Sequence, residues 1–336
     1  NGGLLNAANS FVIDAVNDIV RDKKDQIECA LAAFLSGGHV LIEDTPGTGK
    51  TSLAQAFGHH LNLDWKRLQC TNDTMPSDII GVNVFDPQSG NFTFRQGPLF
   101  TELMLVDELN RAPSKSQSAL LEAMAEGQAS IDGRRYTLPE PFLLIATQNP
   151  TEQIGVSPLP ESQLDRFAVS FTLGLPSAET EAEIIAGAES GFSSDISGEP
   201  VLPEGAFLAL CERRKDIICD AKIVTYLQDI ATAVRGALLP HLSVRALIQI
   251  KGLAQAHALI AGRDYVAPED IQKMIPGALQ HRFTQNISKN DALDKLQDIL
   301  NPSPLSSANS RPLATPGMVL VIFVQVLADS DPVSKI

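Results

Sequence analysis

The sequence predicts an α/β fold with a mainly parallel β-sheet flanked by helices, followed by an all-helical domain. Three observations predict it. Residues 40–42 form a short apolar run that leads into a glycine-rich turn and a helix-forming segment. Apolar runs at 103–106 and 142–146 end in polar residues, as buried parallel strands end at the carboxyl edge of a sheet. From residue 177 to about residue 283 the pattern is helical.

Composition and charge narrow the class of protein. The chain has 336 residues, of which 44% are hydrophobic, and this is enough for a sizeable core and two domains. Its formal net charge of -14 disfavours a general nucleic-acid or anionic-membrane surface, although a local basic loop could still bind either. The four cysteines lack C-x-x-C spacing and the histidines lack metal-ligand spacing. Reduced thiols are therefore favoured over metal or disulfide roles.

The sequence contains no signal for export or membrane insertion. No basic-then-apolar segment precedes the first predicted helix. The longest apolar stretch, 318–328, has about half of the roughly 20 residues that cross a bilayer. It is predicted to be a strand after a linker-like segment at 301–312. We therefore expect a cytoplasmic protein with no membrane anchor.

Residues 44–51, Asp-Thr-Pro-Gly-Thr-Gly-Lys-Thr, predict a phosphate-binding loop between a strand and a helix. Backbone N–H groups in a glycine-rich turn, together with the positive end of a helix, form a concave anion site. Lys50 is expected against the β- and γ-phosphates, and Thr51 is expected to offer its hydroxyl to Mg²⁺. The general pattern G-x-x-x-x-G-K-[ST] has a glycine where this chain has Asp44, so the match is incomplete.

Asp107 and Glu108 follow the apolar run at 103–106 and predict the acidic part of the same site. Ligands bind at this edge in open α/β sheets. We expect Asp107 to reach the Mg²⁺ through water. Glu108 is expected to orient and deprotonate an attacking water, because phosphoryl transfer is catalysed mainly by positioning and charge stabilisation. An acidic helix-capping pair is the alternative.

Two other polar residues also have local alternatives. Asn149 is expected at the same sheet edge as Asp107 and Asn110, where its amide could hold the nucleophilic water or read the γ-phosphate. A simple turn before Pro150 explains this asparagine almost as well. Arg245 begins a predicted helix and could face the nucleotide, although the local sequence favours a solvated arginine.

The remaining elements follow from periodicity and turn signals. In the first domain we predict helices at 4–20, 25–35 and 114–127, strands at 64–70 and 168–173, a turn at 77–81, and hairpins at 82–95 and 129–138. In the second domain we predict helices at 179–188, 204–214, 221–238, 244–261 and 268–281.

Five motifs occur in order along the chain: 46–51 (Pro-Gly-Thr-Gly-Lys-Thr), 106–112 (Val-Asp-Glu-Leu-Asn-Arg-Ala), 117–124 (Gln-Ser-Ala-Leu-Leu-Glu-Ala-Met), 146–150 (Ala-Thr-Gln-Asn-Pro) and 159–167 (Leu-Pro-Glu-Ser-Gln-Leu-Asp-Arg-Phe). Together they resemble the motifs of MoxR-type AAA+ ATPases over about residues 19–290. The two hairpins match the helix-2 insert and pre-sensor hairpin of this AAA+ branch. The resemblance implies a P-loop AAA+ core with N-terminal helices at 1–175, a helical lid domain at 176–290, and a C-terminal helix, linker and tail of unassigned role at 291–336.

The resemblance implies a role for each candidate residue. ATP or ADP is expected to contact Pro46, Gly47, Thr48, Gly49, Lys50, Thr51, Ser52 and Asp107, with Mg²⁺ at Thr51 and Asp107. Catalysis is assigned to Glu108 and three further residues. Asn149 would be the first sensor, Arg166 an arginine finger inserted into the neighbouring subunit's site, and Arg245 a second sensor that couples lid position to nucleotide state. The family's usual Gly-Gln pair is replaced by Asp22-Lys23, so no adenine-contacting residue is assigned.

Function and partners are also implied by the resemblance. Family members look like chaperones, so we expect Mg-dependent ATP hydrolysis by a ring, a hexamer, that remodels, assembles or activates partner protein complexes. A protein with a von Willebrand factor A domain and a client complex are the expected partners. Arg134 and Arg135 of the second hairpin either contact a partner or lie on a solvated face. A slow nucleotide-dependent switch or scaffold, a chelatase-like motor and a nucleic-acid motor are the alternatives, and the acidic charge disfavours the last.

Overall fold

The computed structural model describes residues 2–45, 47–88, 90–131, 133–149, 156–187, 196, 198–283 and 289–300. The strands in this part of the chain are β1 (Val40–Glu43), β2 (Trp65–Gln69), β3 (Gly81–Asp86), β4 (Asn91–Gln96), β5 (Leu103–Asp107), β6 (Gln128–Ile131), β7 (Arg134–Thr137), β8 (Leu143–Gln148) and β9 (Val169–Phe171). The α-helices are α1 (Gly2–Ile19), α2 (Lys24–Leu35), α3 (Lys50–His60), α4 (Pro76–Ile80), α5 (Ser114–Glu126), α6 (Glu161–Leu164), α7 (Ala178–Gly187), α8 (Ala206–Lys215), α9 (Ala221–Ala237), α10 (Val244–Ile260), α11 (Pro268–Leu279) and α12 (Lys289–Leu300).

Five strands form one parallel sheet in the order β2-β5-β8-β1-β9. Alternate residues of β5 contribute to two different cores. Leu103 and Leu105 belong to the core shared with α1, α2 and α3, whereas Met104 and Val106 belong to the core shared with α5. Because both faces of the sheet are covered, β1, β5 and β9 are buried along their whole length. The predicted α/β fold with a mainly parallel sheet is confirmed.

The helical domain packs directly against the sheet domain, and its all-helical character is confirmed. Helix α10 contacts α2, and helix α11 contacts β9. The approach of α11 to α2 is close, because a Cβ on Gly277 would lie 2.8 Å from the Cys29 sulfur. The last described helix, α12, packs on α9 and α11 through Ala292 and Leu296, which are both fully buried.

Both predicted hairpins are present and lie outside the main sheet. Strands β3 and β4 pair antiparallel, and so do β6 and β7. The β3–β4 hairpin carries exposed apolar side chains, and Phe85 and Phe92 contact each other with ring centroids 5.3 Å apart. Arg134 and Arg135 of β7 are exposed.

Two local predictions were wrong. Residues 77–81 were predicted to be a turn, but 76–80 form the short helix α4. Pro76 has a φ suited to the first helical turn, and the Asp78 carboxylate accepts the Met75 N–H at 2.8 Å. The strand predicted at 168–173 covers only β9, because Thr172 donates its hydroxyl to the Glu43 carbonyl and Gly174 has a left-handed φ of 66°. The strand predicted at 318–328 lies outside the described residues.

The four cysteines are free thiols. Burial raises the pKa of Cys29, Cys70 and Cys211 to about 12, and it also raises the pKa of Cys219. Among the described residues, no cluster of three or more His, Cys, Asp or Glu side chains could hold a metal ion.

A charge network joins α2 to the lid helices α10 and α11. His257 Nδ1 is 2.5 Å from Asp270 Oδ1, and His257 Nε2 is 3.3 Å from Glu28 Oε1. Arg263 also pairs with the fully buried Asp270. Burial would lower the pKa of His257, but the hydrogen bonds to the two carboxylates outweigh burial and raise this pKa to about 9. The imidazolium of His257 therefore links the sheet domain to the lid at neutral pH.

We expect stability to fall as the pH rises above 6.5. The folded-state pKa of His257 is about 9 and its ordinary value is 6.5, so its contribution is complete below pH 6.5 and is lost as the pH rises through about 9. Denaturant unfolding at a series of pH values between these limits measures this loss. The His257→Gln variant should show a flatter pH dependence over the same window. An unchanged slope in the variant would contradict this assignment.

Candidate active site

The loop after β1 is shaped by two glycines. Gly47 has a φ of 87° and Gly49 a φ of 88°. Residues other than glycine rarely adopt this left-handed backbone conformation. A Cβ on Gly47 would meet no atom within 4 Å, so the backbone conformation, and not the available space, requires glycine there. Gly49 is the N-cap of α3, so the loop delivers the chain to a helix N-terminus. This is the geometry that the sequence predicted for a phosphate loop.

Asp44 stabilises the loop at the position where the general pattern has glycine. Its carboxylate accepts the Thr45 N–H at 2.8 Å and the Gly174 N–H at 2.7 Å. Asp44 is buried, and its own N–H donates to the Gln148 carbonyl, which extends the pairing of β1 with β8. Lys50 Nζ donates to the carbonyl oxygens of Asp44 and Thr45 at 3.2 and 2.6 Å. The lysine therefore lies across the loop.

Asp107 is held at the end of β5 by two partners. Its side chain is buried, and it accepts hydrogen bonds from Arg67 Nε at 2.7 Å and from the Thr147 hydroxyl at 3.2 Å. Thr147 lies on β8, beside β5, and its oxygen also accepts the Glu108 N–H at 3.0 Å. One hydroxyl thus fixes both acidic residues.

Glu108 has a left-handed backbone conformation. Its φ of 56° and ψ of 47° turn the chain sharply from β5 into a 3-10 turn, Leu109–Arg111. Such a conformation is uncommon for a residue other than glycine and persists only where the surrounding structure holds it. Arg111 Nε lies 3.1 Å from Glu108 Oε2, and 29% of the Glu108 side chain is exposed. The backbone of Glu108 is therefore fixed, and its carboxylate is accessible to solvent.

Asn149 and Asn110 lie at the same edge. Asn149 follows β8, and its carbonyl accepts Asn110 Nδ2 at 3.4 Å. Asn110 is buried, and its Oδ1 has no hydrogen-bond partner among the described residues. Lys50, Asp107, Glu108 and Asn149 thus all follow adjoining strands β1, β5 and β8 of one sheet.

Arg166 and Arg245 lie elsewhere on the chain. Arg166 follows α6, and its Nη1 donates to the Leu121 carbonyl of α5. Its Nε is buried with no hydrogen-bond partner among the described residues. Arg245 is the second residue of α10 and is exposed. No hydrogen bond or ion pair of the described part joins either arginine to Lys50 or Asp107.

The Asp22-Lys23 pair connects the N-terminal helices to the segment between β9 and α7. Asp22 has a φ of 63°, which explains why glycine suits this position in the family that the sequence resembles. Hydrogen bonds from the hydroxyls of Thr180, at 2.7 Å, and Ser177, at 2.8 Å, lower the pKa of Asp22. The buried Lys23 donates to the Leu175 carbonyl at 2.8 Å. Both residues therefore bind the segment that leads from β9 into α7.

Sequence reasoning missed Arg67 and Thr147. Thr147 had one signal, because it is a polar residue in a strand that is otherwise apolar. Arg67 had no local signal, since its partner Asp107 lies 40 residues away. Asp44 was recognised only as a departure from the pattern, and its contact with Gly174 spans 130 residues.

The residues present fit a Mg-nucleotide. A left-handed glycine loop leads to a helix N-terminus with a lysine across it, and the buried carboxylate of Asp107 lies at the end of β5, two strands away in the same sheet. Loops of this kind bind phosphate through backbone N–H groups and lysine. Thr51 and Ser52, in the first turn of α3, add hydroxyl oxygens, which Mg²⁺ prefers.

Comparisons with known proteins identify the family. A profile of the ATPase family associated with various cellular activities (AAA) matches residues 39–169, and an AAA lid domain profile matches 230–302. Chaperone MoxR1 of Mycobacterium tuberculosis (strain ATCC 25618 / H37Rv) is 37% identical over 303 residues, which cover 85% of this chain and 77% of that protein. The chain belongs to the MoxR family of AAA ATPases. The resemblance seen in the sequence is thus confirmed.

Two further proteins are similar to this chain over most of its length. The YeaC protein of Bacillus subtilis (strain 168) is 39% identical over 273 residues, covering 81% of this chain and 85% of that protein. The crystal structure of a predicted ATPase from Cytophaga hutchinsonii superposes with a TM-score of 0.80 at 32% identity, covering 90% of this chain and 96% of that chain. Within the described residues of this MoxR-family chain, no helix is both long enough and apolar enough to cross a membrane.

We expect Thr147→Val to destabilise the protein, because Thr147 holds Asp107 and the Glu108 backbone at the end of β5. Valine keeps the shape of threonine but removes the hydroxyl, which leaves the Glu108 N–H without its partner and Asp107 with one partner fewer. Loss of a buried hydrogen-bond partner costs about 1–3 kcal/mol of unfolding free energy. Denaturant unfolding without nucleotide measures the loss. Thr147→Ser keeps the hydroxyl and should lose less stability. If valine costs no more stability than serine, the hydrogen bonds of the hydroxyl do not stabilise this part of the site.

Proposed function

We propose that this MoxR-family chain is a magnesium-dependent ATPase that assembles into a ring, a hexamer, and remodels, assembles or activates partner protein complexes. One observation carries the proposal. Thr147, on β8 beside the strand β1 that leads to the Lys50 loop, fixes Asp107 and the backbone of Glu108 at the end of β5. The chaperone name of the Mycobacterium relative supports the remodelling of partners.

The loop and α3 bind the nucleotide in this proposal. The Lys50 ammonium exchanges its bonds to two loop carbonyls for bonds to the β- and γ-phosphates. The backbone from Gly47 to Gly49 and the hydroxyls of Thr51 and Ser52 would surround the phosphates. Pro46, which is also expected to contact the nucleotide, lies outside the described residues. Asp107 would hold Mg²⁺ through water, and Arg67 and Thr147 fix its carboxylate. Mg²⁺, when bound, supplies positive charge to the phosphate oxygens.

Glu108 is the proposed general base. Its side chain is partly exposed, while its backbone N–H is held by Thr147, so the carboxylate can take a proton from water without moving the strand end. Asn149 is the proposed first sensor, which holds that water near the γ-phosphate. Its backbone carbonyl accepts a hydrogen bond from Asn110, which lies two residues after Glu108.

Arg166 and Arg245 are proposed to act at two different nucleotide sites. Among the described residues no carboxylate pairs with Arg166, and its guanidinium is proposed to bind a phosphate in the neighbouring subunit. Arg245 is exposed at the start of α10 and is proposed to reach the nucleotide of its own subunit when the lid closes. A finger that acts between subunits requires an oligomer, and a head-to-tail contact that closes on itself gives the proposed ring.

The two hairpins are proposed to contact partners. Val84 and Phe92 of the first hairpin are 45% and 69% exposed, and Arg134 and Arg135 of the second hairpin are exposed and basic in an acidic protein. A protein with a von Willebrand factor A domain and a client complex are the proposed partners. The free, protonated thiols support the proposed cytoplasmic location.

We expect subunit mixing to restore ATP hydrolysis. Arg166→Ala should lower kcat by about 10³-fold or more, as expected for a lost arginine finger, and Glu108→Gln should also be inactive. In an equimolar mixture, random assembly gives about one quarter of the sites an intact Glu108 and a neighbour's intact Arg166. Steady-state phosphate release as a function of protein concentration measures this recovery, alongside ring size from light scattering.

The control is Arg134→Ala, which removes an exposed arginine of the second hairpin and should leave basal ATP hydrolysis unchanged. If Arg166→Ala hydrolyses ATP normally at every concentration, the shared site is wrong. A Glu108→Gln protein that still activates its partner would favour a nucleotide-dependent switch over a motor.

A further inference from the structure

The segment that carries Arg166 is attached to the lid by one buried arginine. Arg282, in the 3-10 turn Gln280–Arg282 after α11, donates from Nε to the Asp165 carboxylate at 2.9 Å. Its Nη2 donates to the backbone carbonyls of Asp165 and Phe167, each at 3.3 Å. The residues on both sides of Arg166 are therefore bonded to the same lid side chain. His281 Nε2 adds a contact to the Phe167 carbonyl at 3.0 Å.

The same carboxylate also holds the start of α10. The Ser243 hydroxyl is 3.3 and 3.2 Å from the two Asp165 carboxylate oxygens. Ser243 is the N-cap of α10, and its oxygen accepts the Ala246 N–H at 3.1 Å. Arg282 Nη2 also donates to Gln249 of α10 at 2.6 Å. Asp165, the residue before Arg166, is thus joined to the helix end that carries Arg245.

These contacts link α10 and Arg282 to the segment that carries Arg166. The Arg282 side chain is only 8% exposed, so separating it from Asp165 would leave a buried charge without its partner. Hydrogen bonds therefore connect the start of α10, Asp165 and Arg282. Because Arg166 is flanked by the residues that Arg282 binds, its backbone is linked to the lid.

We propose that Asp165, Ser243 and Arg282 transmit the position of α10 in one subunit to the Arg166 that this subunit offers to its neighbour. The inference rests on the proposed function, in which Arg245 senses its own subunit's nucleotide and Arg166 acts in the next site. Nucleotide binding at one site then sets the finger of the adjoining site. Hydrolysis by the ring is therefore cooperative in ATP. The three residues are positioning residues, since none of them touches the nucleotide in this scheme.

The decisive variant is Ser243→Ala. It removes the hydroxyl that joins α10 to Asp165, and it also removes a helix N-cap. Asp220→Ala is the matched control, because Asp220 caps the lid helix α9 through the Lys222 N–H and has no contact with Asp165. Ser243→Thr keeps both hydroxyl contacts and should behave as the wild type.

Two measurements test the coupling. The first is the Hill coefficient for ATP in steady-state hydrolysis. It should exceed 1 for the wild type, Asp220→Ala and Ser243→Thr. For Ser243→Ala it should fall to about 1, while the maximal rate stays within about threefold of that of the wild type. The second is hydrogen exchange with a non-hydrolysable ATP analogue. Peptides covering 161–168 should gain protection in the wild type but not in Ser243→Ala, while peptides covering 47–53 gain protection in both.

The outcomes separate this inference from the proposed function. Wild-type protein that hydrolyses ATP with a Hill coefficient of about 1, or Ser243→Ala that keeps the wild-type coefficient and the response at 161–168, overturns the coupling alone. A wild-type protein whose phosphate release equals that of Lys50→Ala overturns the proposed ATPase and the coupling with it. Loss of cooperativity in Asp220→Ala as well as Ser243→Ala would attribute the effect to lid stability and overturn the assignment to Asp165.

Discussion

The parallel pairing of β8 between β1 and β5 is the constraint on which the rest of the site depends. It places three strand ends at one edge of the sheet, although the residues that follow those strands are far apart in the sequence. The Lys50 loop follows β1, the acidic pair ends β5, and Asn149 follows β8. Thr147 makes this pairing specific, because its hydroxyl bonds across the β5–β8 boundary. A one-residue shift in register would separate it from Asp107.

Most of the sheet and lid could be predicted because their signals are local. Apolar runs of four to six residues that end in polar residues gave β5 and β8, and Asp-Gly turn signals gave the β6–β7 hairpin. The errors came where tertiary contacts override local preference. Helix α4 is one turn long and depends on the cap that Asp78 provides, and β9 ends early because residues 172–174 bond to the end of β1.

Some positions in the candidate site could likewise be predicted from the sequence, and others could not. Lys50, Asp107 and Glu108 could be predicted because their spacing relative to strands is visible in the sequence. Arg67 could not, because its contact with Asp107 joins residues that only the sheet brings together. The contact between Asp165 and Arg282 spans 117 residues and joins two domains, and no periodicity encodes it. The proposed role of Arg166 adds a second subunit, whose position lies beyond any pattern within one chain.

The buried thiols have a practical consequence. Because burial raises the pKa of Cys29, Cys70 and Cys211 to about 12, very little thiolate exists in these side chains at neutral pH, and the thiolate is the reactive species. Maleimide dyes should therefore react slowly with these three side chains, and burial also raises the pKa of Cys219. A cysteine introduced at an exposed site such as Phe92, on the tip side of the first hairpin, should then react with the dye faster than the native cysteines. Distances between hairpins of neighbouring subunits would become measurable in solution.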